Sequence, residues 1–364
     1  MTVTKLSLRK RVGLELHRQI KKTAATTHQL NYLFWECTLH CNLACKHCGS
    51  DCRKSMVQKD MPLTDFLNVI DSITPHVDTQ KTMIVITGGE PLMRNDLEIC
   101  GAELYKREYP WGFVSNGLLF SKERLDRLTD VGLSSVTISL DGIEDIHNQM
   151  RGNKQSYEKT LNAIRLLVAK GDELIFDVVT CATPHNIHQL PDLERLFIDM
   201  GVKQWRIFTV FPIGRAAINN NLQLSPTQFS QLFEFIKQAR KRGNLTLNYG
   251  CEGFLGSYET EARDDFFFCR AGINVGSILA DGSISACPNL RSNFAQGNIY
   301  ADDFMDVWNN RYQLFRDRRW TKTGECADCS FFRYCEGNGM HLRDETGNLL
   351  FCHLKRIQEG IHNQ

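Results

Sequence analysis

The amino-acid sequence predicts an α/β protein: a partial (β/α)6, TIM-like barrel followed by a small cysteine-rich domain. Three observations carry this expectation. From residue 31 to 210, short apolar runs alternate with helical patterns, which is how parallel strands with crossover helices read. The loops Gly88-Gly89-Glu90-Pro91, Asn116-Gly117 and Asp141-Gly142 each follow an expected strand. That is the end of the strands where such barrels place their chemistry. Of 14 cysteines, all but Cys100 and Cys181 fall between 37 and 52 or between 251 and 352.

Taken in order, residues 1–30 are locally basic, with Lys5, Arg9, Lys10, Arg11, Arg18, Lys21 and Lys22 interleaved with Leu6, Leu8, Val12, Leu14, Leu16 and Ile20. The expectation is an amphipathic helix packed on the body, with a membrane-surface or partner-docking helix as the alternative. Strands are expected at 32–36, 83–87, 112–115, 135–140, 174–180 and 204–210. Helices are expected near 64–74, 94–106, 121–131, 155–170, 187–200 and 225–241. Six such units make an open barrel rather than a closed eight-fold one. The barrel is assigned to 31–215, a bridging helix and linker to 216–248, and the cysteine-rich domain to 249–364. This last segment shows turn signals (Asp281-Gly282, Gly337-Asn338-Gly339) and little apolar periodicity, so it is expected to need metal to hold its fold.

Composition narrows the function. The chain has 364 residues, is 42% hydrophobic and 23% charged, and carries a net charge of +1 from 43 basic and 42 acidic residues. It can bury a full core, and it offers no global electrostatic case for nucleic acid. No apolar run reaches the roughly 18 residues of a transmembrane helix, and the N-terminus lacks the apolar core of a signal peptide. Clustered cysteines then read as metal ligands in a reducing, cytoplasmic setting. Cys100 and Cys181, standing alone, read as buried small hydrophobes.

Cys41-Asn42-Leu43-Ala44-Cys45-Lys46-His47-Cys48 places three cysteines at C-x3-C-x2-C spacing in one loop, where they can point at one metal centre. Thiolates select iron–sulfur clusters, and three of them leave one iron of a four-iron cube open for chemistry. Zinc, or an electron-transfer cluster closed by Cys52, fits the same residues.

The loop spacing and its Cys-Asn-Leu start resemble the radical S-adenosylmethionine (SAM) enzymes. The resemblance implies a SAM-binding [4Fe–4S] cluster on Cys41, Cys45 and Cys48, and formation of a 5′-deoxyadenosyl radical. Gly88-Gly89-Glu90-Pro91 resembles the second signature, implying that Gly88 and Gly89 admit the SAM amine, with Glu90 supporting it. By the same resemblance, Ser115, Asn116, Ser139 and Asp141 face ribose or the methionyl carboxylate. Arg151 holds that carboxylate or makes an ion pair, and His47 lies against adenine where the family usually has a larger aromatic residue.

Cys269-x12-Gly282-x4-Cys287 and Cys326-x2-Cys329-x5-Cys335, then Cys352, resemble the SPASM extension of peptide- and protein-maturing radical SAM enzymes. This implies one or two auxiliary [4Fe–4S] clusters. The outer one would be on Cys326, Cys329, Cys335 and Cys352, and the inner one on Cys269 and Cys287 with Cys251 as a third ligand. Where the family pattern has a further cysteine, this chain has Gly339, which leaves the inner set one thiolate short. The substrate implied is a side chain of a peptide or small protein, with an electron donor such as flavodoxin or ferredoxin. Phe34-Trp35-Glu36-Cys37 and Gly49-Ser50-Asp51-Cys52 also resemble a bacterial group associated with lipoprotein gene neighbourhoods. An anaerobic sulfatase maturase shares the architecture, but there the aspartate after the cysteine is replaced here by Pro288-Asn289. The readings from another class are an iron–sulfur electron carrier or a structural zinc protein.

Overall fold

The computed structural model describes residues 5–363. Ten strands form a single sheet: β1 (Tyr32–Thr38), β2 (Met83–Gly88), β3 (Trp111–Ser115), β4 (Leu133–Ser139), β5 (Ile175–Ala182), β6 (Gln204–Thr209), β7 (Thr246–Tyr249), β8 (Val275–Ile278), β9 (Ser283–Ser285) and β10 (Gly297–Asn298). The order is β10-β9-β8-β1-β2-β3-β4-β5-β6-β7, so the sheet curls without closing. Every pair from β1 through β7 is parallel. The six expected strands are all present.

Two strands extend the parallel set beyond six. Thr246–Tyr249, in the segment expected to be a bridge, pairs with β6. β8 pairs in parallel with the free edge of β1, Tyr32 opposite Val275 and Trp35 opposite Ile278. The sheet therefore runs unbroken from the barrel into the cysteine-rich segment, where β9 and β10 finish it antiparallel.

The helices are α1 (Leu8–Thr27), α2 (Leu63–Ile73), α3 (Leu97–Lys106), α4 (Lys122–Asp130), α5 (Glu144–Arg151), α6 (Ser156–Ala169), α7 (Leu190–Met200), α8 (Arg215–Ile218), α9 (Pro226–Arg242), α10 (Phe304–Asn310), α11 (Gln313–Arg316), α12 (Phe332–Cys335) and α13 (His353–His362). Crossover helices cover the outer face because strands buried on both sides need apolar cover. Fully buried Trp35 of β1 stacks on Phe66 of α2 at 4.0 Å, and Trp205 of β6 meets Phe197 of α7 edge-on at 5.1 Å.

The cysteine-rich segment has more apolar packing than its sequence suggested. Phe304, Val307, Trp308, Tyr312 and Phe315 are buried in the same core cluster as the barrel strands, so metal is not its sole support. Their spacing is helical, across α10 and α11. α1 packs on this C-terminal part. Lys21 is buried and its Nζ bonds Glu336 Oε2 (2.7 Å) and the Tyr334 carbonyl (2.8 Å), while Leu8, Val12, Leu16 and Ile20 stay exposed. Among the described residues, no helix is long and apolar enough to cross a membrane.

Candidate active site and auxiliary cysteine sites

β1 ends in a register shift at Thr38 that turns the chain into the cysteine loop. Cys41, Cys45 and Cys52 are buried and Cys48 is half-buried. All four line one cavity at the carboxyl ends of the strands, with His47, Gly88, Gly89, Ser115, Asn116, Ser139, Arg151 and Arg215. A hydrogen bond with the Cys52 thiol holds the Cys48 thiol below its ordinary range, whereas burial pushes Cys41 up to about 12. Thiols gathered this closely favour a guest that displaces their protons.

Arg215, at the start of α8, clasps the loop. Its Nε donates to the Cys45 carbonyl (2.8 Å), its Nη1 to the Cys52 carbonyl (2.8 Å) and to Asp51 Oδ1 (2.8 Å), and its backbone N–H to the Cys48 carbonyl (3.0 Å). Sequence reasoning missed this residue. Its only signal was position, just after Gly214 beyond the end of β6.

The glycines have a packing role. A Cβ on Gly88 would stand 2.2 Å from the Thr38 carbonyl oxygen, and one on Gly89 would stand 2.1 Å from that of His40. Gly88 also has φ +136°, which L side chains rarely adopt. The bare backbones let the β2 loop bond the β1 loop, Gly89 N–H to Thr38 O (2.7 Å) and Glu90 N–H to His40 O (3.0 Å).

Glu90 does not line the cavity. It is fully buried behind it, and its carboxylate accepts from Ser115 Oγ (2.9 Å), the Asn116 N–H (2.8 Å) and the Leu92 N–H (3.2 Å). Burial lifts its carboxyl to about 7 in spite of those donors. It ties the β2 and β3 loops together. Asn116 Nδ2 reaches Asn42 Oδ1 (2.8 Å) and lies 3.8 Å from Cys41 Sγ. Ser139 lines the cavity, and among the described residues its hydroxyl has no hydrogen-bond partner.

Asp141 also stands behind the cavity. Its Oδ1 accepts from the Cys181 N–H (2.9 Å), and its Oδ2 faces Arg151 Nη2 (2.6 Å) and His47 Nε2 (3.4 Å). Cys181 is half-buried and packs on Val210, Ala216 and Leu222 beside the site, while Cys100 is buried as expected. His47, Asp141 and Cys181 bring donor atoms within 4.8 Å of one another, but the Arg151 guanidinium already supplies the positive charge there. Arg151 Nη1 also points at Cys45 Sγ (3.7 Å), stabilising a thiolate at that position. Burial pushes the His47 imidazole down to about 4, keeping it neutral. His47 Nδ1 and Asn42 Nδ2 are buried without hydrogen-bond partners. Such atoms, beside three soft donors, fit a cubane cluster together with a polar guest such as SAM.

The C-terminal cysteines gather in two groups. Burial raises the Cys335 and Cys352 thiols, and both feel the Cys326 charge. Asn338 donates its N–H to Cys335 Sγ (3.2 Å) and accepts from the Phe254 N–H (3.1 Å). Separately, burial pushes Cys287 up to about 12, and the nearby Cys251 and Cys269 push the same way. The Met340 N–H donates to Cys269 Sγ (3.5 Å). The Phe211 ring, just past β6, packs on His341 with ring centroids 4.9 Å apart. Phe211 also lies 3.8 Å from where a Cβ on Gly49 would stand, so it spans the gap between the cysteine loop and this second group.

Comparison with known proteins agrees with this geometry. The Radical SAM superfamily matches residues 35–197 and the SPASM iron–sulfur cluster-binding domain matches 269–330. The chain is 26% identical over 337 residues to an AdoMet-dependent heme synthase of Nitratidesulfovibrio vulgaris, covering 85% of this chain and 90% of the relative. It is 30% identical over 325 residues to the mycofactocin maturase MftC of Mycolicibacterium smegmatis, covering 86% and 79%. The structure of anSMEcpe with bound AdoMet and Cp18Cys peptide superposes with a TM-score of 0.71 at 20% identity, over 92% of this chain and 96% of that one. This chain belongs to the radical SAM superfamily, in the group that carries a SPASM auxiliary iron–sulfur domain.

Proposed function

We propose that this enzyme abstracts a hydrogen atom from a side chain of a peptide or small protein. Cys41, Cys45 and Cys48 hold the SAM-binding [4Fe–4S] cluster. When bound, that cluster supplies one electron to SAM, which splits into methionine and a 5′-deoxyadenosyl radical. The chain's own residues position the guests. Gly88 and Gly89 leave room for the methionyl amine, Ser139 and Asn116 offer polar contacts, and Arg151 sets the charge beside Cys45. Neutral His47 offers a flat face to adenine. Glu90 and Asp141 fix these groups from behind. SAM bound there would yield methionine and 5′-deoxyadenosine, the latter carrying the hydrogen taken from the substrate. The electron comes from a low-potential donor such as flavodoxin or ferredoxin, in a reducing cytoplasm where thiols serve as metal ligands.

The observation that carries the reading is Phe211. Its ring packs on His341 and lies 3.8 Å from where a Cβ on Gly49 would stand, so the cysteine loop and the segment whose Met340 N–H bonds Cys269 Sγ face the same ring. The maturase relative and the peptide-bound structural neighbour support a peptide substrate. The heme synthase relatives favour a second reading, an iron porphyrin substrate.

Deuterium transfer decides between them. Holoenzyme is incubated anaerobically with SAM, reductant and either a side-chain-deuterated candidate peptide from a neighbouring gene or a deuterated iron porphyrin. Deuterium from the peptide should appear in 5′-deoxyadenosine. Deuterium from the porphyrin alone would overturn the peptide reading.

A further inference from the structure

Gly339 occupies the position where the family pattern has a cysteine, yet the space beside it is filled. A Cβ built on Gly339 would stand 2.7 Å from Cε1 and 3.1 Å from Nδ1 of His341. A cysteine at 339 and this histidine rotamer exclude one another. The His341 imidazole sits where the side chain of 339 would go.

That place lies next to Cys269 and to the residue that follows Cys251. The Gly339 N–H donates to the carbonyl of Glu252, the residue after Cys251 (2.7 Å), and the next residue's N–H donates to Cys269 Sγ (3.5 Å). Cys251 and Cys269 in turn act on Cys287. His341 is only 7% exposed. Among the described residues neither ring nitrogen has a hydrogen-bond partner; the ring's packing partner is Phe211. An imidazole with no hydrogen-bond partner in the protein keeps its ring nitrogens available to a guest. A metal ion supplies what it lacks, and imidazole replaces thiolate on iron–sulfur clusters elsewhere.

We propose that His341 is the fourth protein ligand of the inner auxiliary iron–sulfur cluster, in place of a cysteine at 339. The proposal rests on Cys251, Cys269 and Cys287 being the three thiolates of that cluster, and not on the identity of the substrate. Exchange of a thiolate for a neutral imidazole removes one negative charge, which raises the cluster's reduction potential and makes it a better electron acceptor.

The test uses reconstituted holoenzyme carrying Cys41→Ala, Cys45→Ala and Cys48→Ala, so that only auxiliary clusters contribute. The protein is prepared with natural-abundance or 15N-labelled histidine and reduced, and nitrogen couplings are read by pulsed electron paramagnetic resonance. The expected result is a directly bonded nitrogen that changes with the histidine label and disappears in His341→Ala. His341→Cys should keep the iron content and lower the midpoint potential of one cluster. Absence of any histidine-dependent coupling in the labelled protein overturns the proposal without need of a variant. It is equally overturned if the coupling survives in His341→Ala, or if iron stays unchanged in a Cys269→Ala, Cys287→Ala variant. No readout involves peptide or porphyrin, so failure of the substrate reading would leave this result intact.

Discussion

Cys41, Cys45 and Cys48 come from eight consecutive residues, whereas the C-terminal thiols are spread from Cys251 to Cys352. The short loop cannot bury itself. It is held from outside by Arg215, by the glycine backbones of the β2 loop and by Asn116, whose Nδ2 donates to Asn42 of the loop. Its thiols line a cavity open to guests. The C-terminal thiols are brought together by a shared hydrophobic core and by the cross-link of Asn338. Local spacing gathers the reactive thiols on one cavity, and long-range packing gathers the auxiliary ones.

The largest expected effect breaks that division at its reactive side. Cys45→Ala should abolish reductive cleavage of SAM, with the iron count falling from about 12 to about 8 per chain, one cubane's worth. Unchanged 5′-deoxyadenosine formation would remove the loop from the reaction. Next, Cys326→Ala tests the auxiliary side. It should lower the denaturant midpoint, because metal binding there is folding energy, while SAM cleavage without substrate continues. Loss of SAM cleavage with an unchanged midpoint would reverse the two roles.

Glu90→Ala sharpens the reactive side. Without the carboxylate, Ser115 Oγ and the Asn116 N–H lose their acceptor, and SAM affinity should fall by about 1–3 kcal/mol, read by equilibrium binding. Unaltered affinity would show that the two loops hold themselves.

The last effect is in pH. Burial raises the Glu90 carboxyl to about 7, so the folded state binds this proton more tightly than the unfolded one. Its contribution is fully present below about 4.5 and is lost as pH rises through 7. The stability of the parent relative to Glu90→Gln should therefore decline over that window, by up to about 3 kcal/mol. A difference that grows with pH instead would mean that the three donors outweigh burial.

Much of the barrel was legible because each strand is a long enough apolar run bounded by turn residues. β7 and β8 were not, since strands of four residues carry too little pattern. The Phe304–Phe315 core went unread beside the more conspicuous cysteines, although its helical spacing was there. In the site, the thiol loop and the glycine turn were plain as motifs. Their physical duties were not. The glycines are needed for contact with Thr38 and His40, which lie about fifty residues away in the chain. Glu90 and Asp141 look the same in sequence whether they face the guest or stand behind it. Arg215 is one of 43 basic residues with no motif around it. His341 escaped notice because the pattern asks for a cysteine at 339, and a histidine two residues later substitutes only in three dimensions.

The division between a reactive loop and the auxiliary sites is tested most directly by adding SAM to the reduced holoenzyme and recording its electron paramagnetic resonance spectrum. The spectrum of one cluster should shift on SAM binding, and the shift should vanish in the Cys41→Ala, Cys45→Ala, Cys48→Ala variant while the auxiliary signals remain. A SAM-dependent shift that persists in that variant would place the open iron among the C-terminal cysteines and contradict the account.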